Sequence, residues 1–140
     1  MRVGVFALQG DVREHLRTLT SMGIESIEVR NASDLSSVDG LILPGGESTT
    51  ISKLIDIFSL RKSLVDFIAL GKPVFGTCAG MIMLANEVLD AASGQRSLEA
   101  MDISVRRNAF GSQLDSFETE LEFDGKLAKV AFIRAPIVER

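Results

Sequence analysis

Pro73-Val74-Phe75-Gly76-Thr77-Cys78-Ala79-Gly80-Met81 is the stretch on which the fold turns. An apolar run, Pro73 to Phe75, leads in, and an apolar, helix-like run, Met81 to Val88, leads out. A strand that ends in a sharp turn and re-emerges as a helix is a nucleophile elbow. Gly76-Thr77-Cys78-Ala79-Gly80 has the G-x-S-x-G spacing with sulfur in place of oxygen. Glycine two residues either side permits the tight turn and lets helix and strand pass closely. A helix N-terminus at Cys78 predicts a thiol pKa below the free value of about 8.5. Without the glycines a lone cysteine reads as a small buried apolar residue. With them, Cys78 reads as a nucleophile.

Working back from the elbow, Val3 to Leu8 is a continuous apolar run with β-branched and aromatic members, the pattern of a parallel strand covered on both faces. A helix begins at Asp11, with Glu14 as an acidic analogue of a capping box, and carries Val12, Leu16 and Leu19 on one stripe until Gly23. Ile24 to Val29 and Gly40 to Leu43 are the next strands, the latter closed by Pro44-Gly45-Gly46. A helix from about Thr49 carries Ile51, Leu54, Ile55 and Phe58, and another after Ser59 carries Leu60, Leu64, Phe67 and Ile68. Gly71-Lys72-Pro73 breaks it before the strand Val74 to Gly76. Beyond the elbow, Ala91 to Gln95 is a polar loop, and Ile103 to Arg106, Phe117 to Phe123 and Lys129 to Ile133 read as strands joined by Gly and Asp turns. The expected class is α/β: a mostly parallel sheet with helices on both faces and an antiparallel extension. Sites in such sheets lie at the carboxyl ends of strands. Leu8-Gln9-Gly10, Pro44 to Ser48 and Cys78 all occupy such ends.

The 140 residues suffice for one domain with a core, and 46% hydrophobic with 24% charged residues is ordinary for a globular protein. The net charge of −4 comes without a basic block, so nucleic acid is not an expected partner. No run approaches a membrane span, and the apolar amino end lacks a signal-peptide pattern. A single cysteine fits a reducing compartment, so the cytoplasm is expected. No metal-ligand or cofactor-binding spacing occurs, so neither a metal nor a cofactor is expected.

Pro44-Gly45-Gly46-Glu47-Ser48-Thr49 follows a strand and opens a helix. Its glycines let backbone N–H groups converge on an anion, and it lacks P-loop spacing. Beside an elbow cysteine, this favours an oxyanion site whose second donor is the N–H of Ala79, the residue after the nucleophile. Arg107 and Arg134 follow strand-like runs, where an arginine can hold a carboxylate by paired hydrogen bonds. A solvated strand-end charge is the simpler reading for either one alone. The one histidine, His15, flanks the stripe of the first helix and reads as a helix-surface or interface residue rather than a base.

Together these residues resemble the class I glutamine amidotransferases, and more closely the glutaminase subunits of pyridoxal 5′-phosphate synthase. The likeness rests on Leu8 to His15, Leu43 to Thr50, Phe75 to Gly80, Arg107 to Gly111, Asp115 to Glu118 and Phe132 to Pro136. It implies a flavodoxin-like three-layer class I glutaminase fold and hydrolysis of L-glutamine to glutamate and ammonia through a Cys78 thioester, with ammonia passed to a (β/α)₈-barrel synthase subunit. Gly46 and Ala79 then match the oxyanion donors, Gly46, Glu47 and Ser48 the glutamine-binding loop, and Arg107, Ile133 and Arg134 the remaining glutamine contacts. The Gln9-Gly10 segment would lie near the docking face. Two positions depart from the family pattern. Gly111-Ser112-Gln113 stands where Gly-Arg-Gln is expected, and the sequence reaches Arg140 without the Phe-His-Pro-Glu segment that carries the family's base. The expectation is therefore a single glutaminase-type domain over residues 1–140, an amino-terminal portion of the family domain, with an open sheet edge and little turnover alone. The rival readings are a non-catalytic binding or regulatory module on the same scaffold, another cysteine enzyme of flavodoxin-like fold, and a glutaminase serving a different ammonia acceptor.

Overall fold

The computed structural model describes residues 1–109 and 117–140. The chain opens as an alternation of strands and helices: β1 (Arg2–Phe6), α1 (Val12–Ser21), β2 (Glu25–Val29), α2 (Ala32–Ser36), β3 (Gly40–Leu43), α3 (Ser48–Ile57), α4 (Arg61–Ala69), β4 (Val74–Gly76) and α5 (Ala79–Leu84). Strands β1 to β4 form one parallel sheet in the order β2-β1-β3-β4. The step from β1 to β2 runs one way along the sheet and the later steps run the other way. Right-handed crossovers then put α1 on one face and α2, α3 and α4 on the opposite one, in keeping with the packing of α2 on α4. The expected α/β class is what forms.

The main core lies under α2 to α5, where Phe6, Leu43, Ile51, Ile55, Leu60, Leu64 and Met83 are buried. Val5, Phe6, Leu41 and Leu43 on the central strands are all buried, which explains their continuous apolar reading. Phe58, expected on the buried stripe of α3, instead caps its carboxyl end and is exposed. The cap expected for α1 also differs, because Asp11 takes the N-cap place without a side-chain cap bond.

After Leu84 the apolar run changes character. Residues Ala85–Val88 form β5, so the helix expected to reach Val88 is α5 followed directly by a strand. Strand β5 pairs in parallel with β6 (Met101–Arg106), and β6 pairs antiparallel with β9 (Ile137–Val138). A separate antiparallel hairpin joins β7 (Phe117–Phe123) to β8 (Lys126–Phe132). Its turn residues, Asp124 and Gly125, both have positive φ (52° and 72°), which suits a two-residue hairpin loop. The antiparallel strands thus pair among themselves rather than on β4. Among the described residues β4 pairs with β3 alone, and Phe75 on it is 61% exposed. No helix among the described residues is long and apolar enough to cross a membrane.

Candidate active site

The turn after β4 is held by close backbone packing. A β-carbon at Gly76 would stand 2.6 Å from the carbonyl carbon of Gly80, and one at Gly80 would stand 2.0 Å from the carbonyl oxygen of Leu43. No side chain fits at either place. The Thr77 N–H donates to the Leu43 carbonyl at 3.0 Å, and the Gly80 N–H to the Thr77 carbonyl at 2.8 Å. Between these anchors Cys78 has φ +47° and ψ −106°, a left-handed conformation unusual for a residue with a side chain. The elbow read from the sequence is present, with Cys78 exposed at the N-cap of α5 and Ala79 buried behind it.

The thiol does not have the lowered pKa expected of it. Although the residue is exposed, neighbouring atoms partly desolvate its sulfur and raise the pKa above the ordinary 9.0, and the negative charge of Asp11 adds to the rise. The Ala79 N–H and the Arg134 charge oppose the shift without reversing it. Helix α5 has only six residues, and desolvation is the largest influence on the sulfur. Alkylation of Cys78 should therefore rise to its half-maximal rate above pH 9.0. Asp11→Asn should lower that midpoint, since it removes a negative charge that disfavours the thiolate. A midpoint unmoved by the substitution would show that Asp11 does not act on the sulfur.

The loop after β3 lies against the elbow. A β-carbon on Gly45 would be 3.5 Å from Cβ of Cys78 and 3.0 Å from a carboxylate oxygen of Asp11. The turn after β1 braces this loop from the other side. The Asp11 N–H donates to the Gly45 carbonyl at 2.9 Å, and the Glu47 N–H donates to Gln9 Oε1 at 2.9 Å. Gly10 has φ +113°, and a β-carbon there would meet the Gly45 carbonyl oxygen at 2.0 Å. Three strand ends thus converge, as expected for an open parallel sheet.

Glu47 also caps α3. Its carboxylate accepts hydrogen bonds from the N–H groups of Thr49 (3.1 Å) and Thr50 (2.8 Å) and from both threonine hydroxyls. Partial burial raises its pKa, but these hydrogen bonds outweigh that and bring it down from 4.5 to about 2. The sequence reading began this helix at Thr49 and missed the cap. Because the folded pKa is the lower one, the carboxylate's contribution to stability is complete above pH 4.5 and is lost as pH falls towards 2. Glu47→Ala should cost about 1 kcal/mol at neutral pH. The gap from the unchanged protein should narrow as pH falls through that window, and denaturant melts across pH check it.

Gln9, Asp11, Gly45, Gly46, Glu47, Ser48, Cys78, Arg107, Ile133 and Arg134 all line one cavity of about 590 Å³. Every residue chosen from the sequence as a glutamine contact therefore borders the same space. Arg107 comes from the end of β6, with its side chain 13% exposed and its guanidinium 3.7 Å from the Glu47 carboxylate. Ile133 and Arg134 follow β8, and Arg134 has φ +45°. Ser48 is buried at the start of α3. Gln9, Asp11 and Asn108 also line the cavity; the sequence marks the Gln9 turn as a strand-end candidate but names none of the three as a substrate contact. The strand-end position of Gln9 was the available signal. His15 is absent from the lining, but its Nε2 lies 3.2 Å from Thr77 Oγ1, so it touches the elbow from behind. The motif positions Phe110, Gly111, Ser112, Gln113, Asp115 and Ser116 lie outside the described residues.

The arrangement brings a thiol, a glycine loop beside it and two guanidinium groups around one space. A sequence model of the SNO glutamine amidotransferase family matches residues 5–140. The chain is 53% identical to the pyridoxal 5′-phosphate synthase subunit PdxT of Renibacterium salmoninarum, covering 100% of this chain and 66% of that protein. It is 55% identical to the PdxT of Salinispora tropica, covering 99% and 70% respectively. A crystal structure of a glutamine amidotransferase superposes with a TM-score of 0.88 at 45% identity, over 99% of this chain and 74% of the other. A putative peptidase E protein from Listeria monocytogenes, 16% identical with a TM-score of 0.62 over 72% of this chain and 63% of the other, shares the fold alone. On the match over residues 5–140 and on relatives more than half identical across its length, this chain belongs to the SNO glutamine amidotransferase family.

Proposed function

We propose that the protein is the glutaminase component of a pyridoxal 5′-phosphate synthase. It hydrolyses L-glutamine to glutamate and ammonia and delivers the ammonia to a (β/α)₈-barrel synthase subunit. The convergence of Cys78, the Gly45–Glu47 loop, Arg107 and Arg134 on one cavity carries this reading. The cavity takes a small ligand with an anionic end. Arg107 and Arg134 receive the α-carboxylate, while Glu47, Ser48 and Ile133 complete the pocket. The side-chain amide then lies at Cys78.

The thiolate attacks the amide carbon, and the C–N double-bond character is lost as the oxygen takes negative charge. The N–H groups of Gly46 and Ala79 stabilise that oxyanion, and losing one such donor typically costs about 10²–10³ in rate. Ammonia leaves with a proton from a general acid, and water hydrolyses the thioester. Among the described residues lining the cavity there is no histidine. We place residues 1–140 in a single glutaminase-type domain. The reaction belongs in the cytoplasm, in keeping with a lone free cysteine.

The test supplies the protein and its synthase subunit with L-glutamine labelled at the amide nitrogen. Label should enter pyridoxal phosphate, and L-glutamine should protect Cys78 from alkylation in the 140-residue chain alone. Absence of both effects would overturn the proposal. The raised thiol pKa and the lack of a cavity histidine favour one second reading, a glutamine-binding module without turnover. Protection without label transfer would select it.

A further inference from the structure

We propose that Gln95 is a positioning residue of the glutamine pocket, fixing the Arg107 guanidinium and the Ser48 hydroxyl that receive the substrate's amino-acid head. The inference rests on the glutamine reading above. Gln95 lies in the connection between β5 and β6 and does not itself line the cavity. Its carboxamide nevertheless joins two groups that do. Its Nε2 donates to Ser48 Oγ at 3.2 Å, and its Oε1 accepts from Arg107 Nη1 at 2.5 Å and from the Ala92 N–H at 3.3 Å. Arginine and a backbone N–H can only donate, so the carboxamide oxygen must face them and the NH₂ must face the serine.

The backbone that follows Gln95 is held like part of the core. Ser52, fully buried, accepts from the Arg96 N–H at 2.9 Å and donates to the Arg96 carbonyl at 3.0 Å. Arg61 donates to the Ser97 carbonyl at 2.8 Å. The Leu98 N–H donates to the Met83 carbonyl at 2.7 Å, and the Leu98 side chain is buried. A segment tied to α3, α4 and α5 in this way presents Gln95 from a fixed base. Such a polar loop is anchored far beyond what connecting two strands requires.

The chemistry of the side chain fits the task. Glu47 stands 3.7 Å from the guanidinium, beyond hydrogen-bond length, so it contributes charge without fixing the fork. A neutral carboxamide orients arginine and leaves its positive charge for the substrate carboxylate. A carboxylate at the same place would hold the guanidinium equally well but compete for that charge.

The test compares alkylation of Cys78 by a chloroketone analogue of L-glutamine with alkylation by chloroacetone, which has the same electrophile without the amino-acid head. Gln95→Met should cut the preference for the analogue about tenfold through a weaker apparent affinity, the size expected for a lost hydrogen bond to a charged group. The limiting rate and the chloroacetone rate should stay unchanged. Gln95→Glu should cut the preference further, which a purely structural role would not produce. Circular dichroism establishes that each variant is folded. A preference kept within twofold by Gln95→Met, or a wild-type preference in Gln95→Glu, would overturn the inference alone. Equal rates for the two reagents in the unchanged protein would overturn the glutamine reading together with it.

Discussion

Replacing Cys78 by alanine should abolish glutamine-dependent ammonia release by the protein and its synthase partner, lowering it by about 10⁵-fold or more. The magnitude follows from the loss of the only atom placed to form the thioester. The fold should survive the change. Alanine keeps the β-carbon that the elbow already accommodates at φ +47°, and Cys78 is exposed rather than packed. Stability should then stay within about 0.5 kcal/mol of the unchanged protein. Glutamine should still bind, because Arg107, Arg134 and Ser48 are untouched. Calorimetric titration with glutamine and an ammonia assay separate the two effects. Residual turnover within a hundredfold of the original would mean that a different group attacks the amide.

The largest structural effect should come from Gly80→Ala. The added carbon would lie 2.0 Å from the Leu43 carbonyl oxygen and 2.6 Å from its carbon, and both are backbone atoms of a central strand. Neither can move without breaking the register of β3. A loss of about 3 kcal/mol or more is expected, by the overpacking mechanism. Gly23→Ala is the comparison. Gly23 has φ +69° but no neighbour within 4 Å of its would-be β-carbon, so it should cost only about 1 kcal/mol, the strain of a left-handed residue. Denaturant midpoints of the two variants measure the difference. Equal losses would mean that the contact with Leu43 relaxes at little cost and that close packing does not govern the elbow glycine.

The parallel half of the fold was legible in the sequence because its strands are buried on the faces that carry their runs. Val5, Phe6, Leu41 and Leu43 leave no ambiguity of period. Helix α2 was not read, because only Leu35 among its five residues is buried and no stripe forms. The run from Met81 to Val88 is apolar throughout, and such a run does not by itself mark where helix gives way to strand. The separate pairing of β7 with β8 depends on which edges meet, and strand patterns do not encode that. Cys78 and the glycine loop are legible from motifs and strand ends, whereas the two arginines read alone as solvated charges and stand out only through the family likeness. The direction of the thiol shift could not, since it arises from desolvation and from Asp11, which is 67 positions away in sequence. Gln95 carried no signal at all, being one polar residue in a polar loop.

The ties that shape the pocket join distant parts of the chain. Gln9 reaches Glu47 across 38 positions, Gln95 reaches Ser48 across 47, and His15 reaches Thr77 across 62. Each demands closure of a long stretch of polypeptide before any contact repays the lost entropy. Reactivity at the centre therefore depends on the assembled fold rather than on any local segment. In rising denaturant, selectivity for a glutamine-shaped reagent should fade along the same curve as global unfolding.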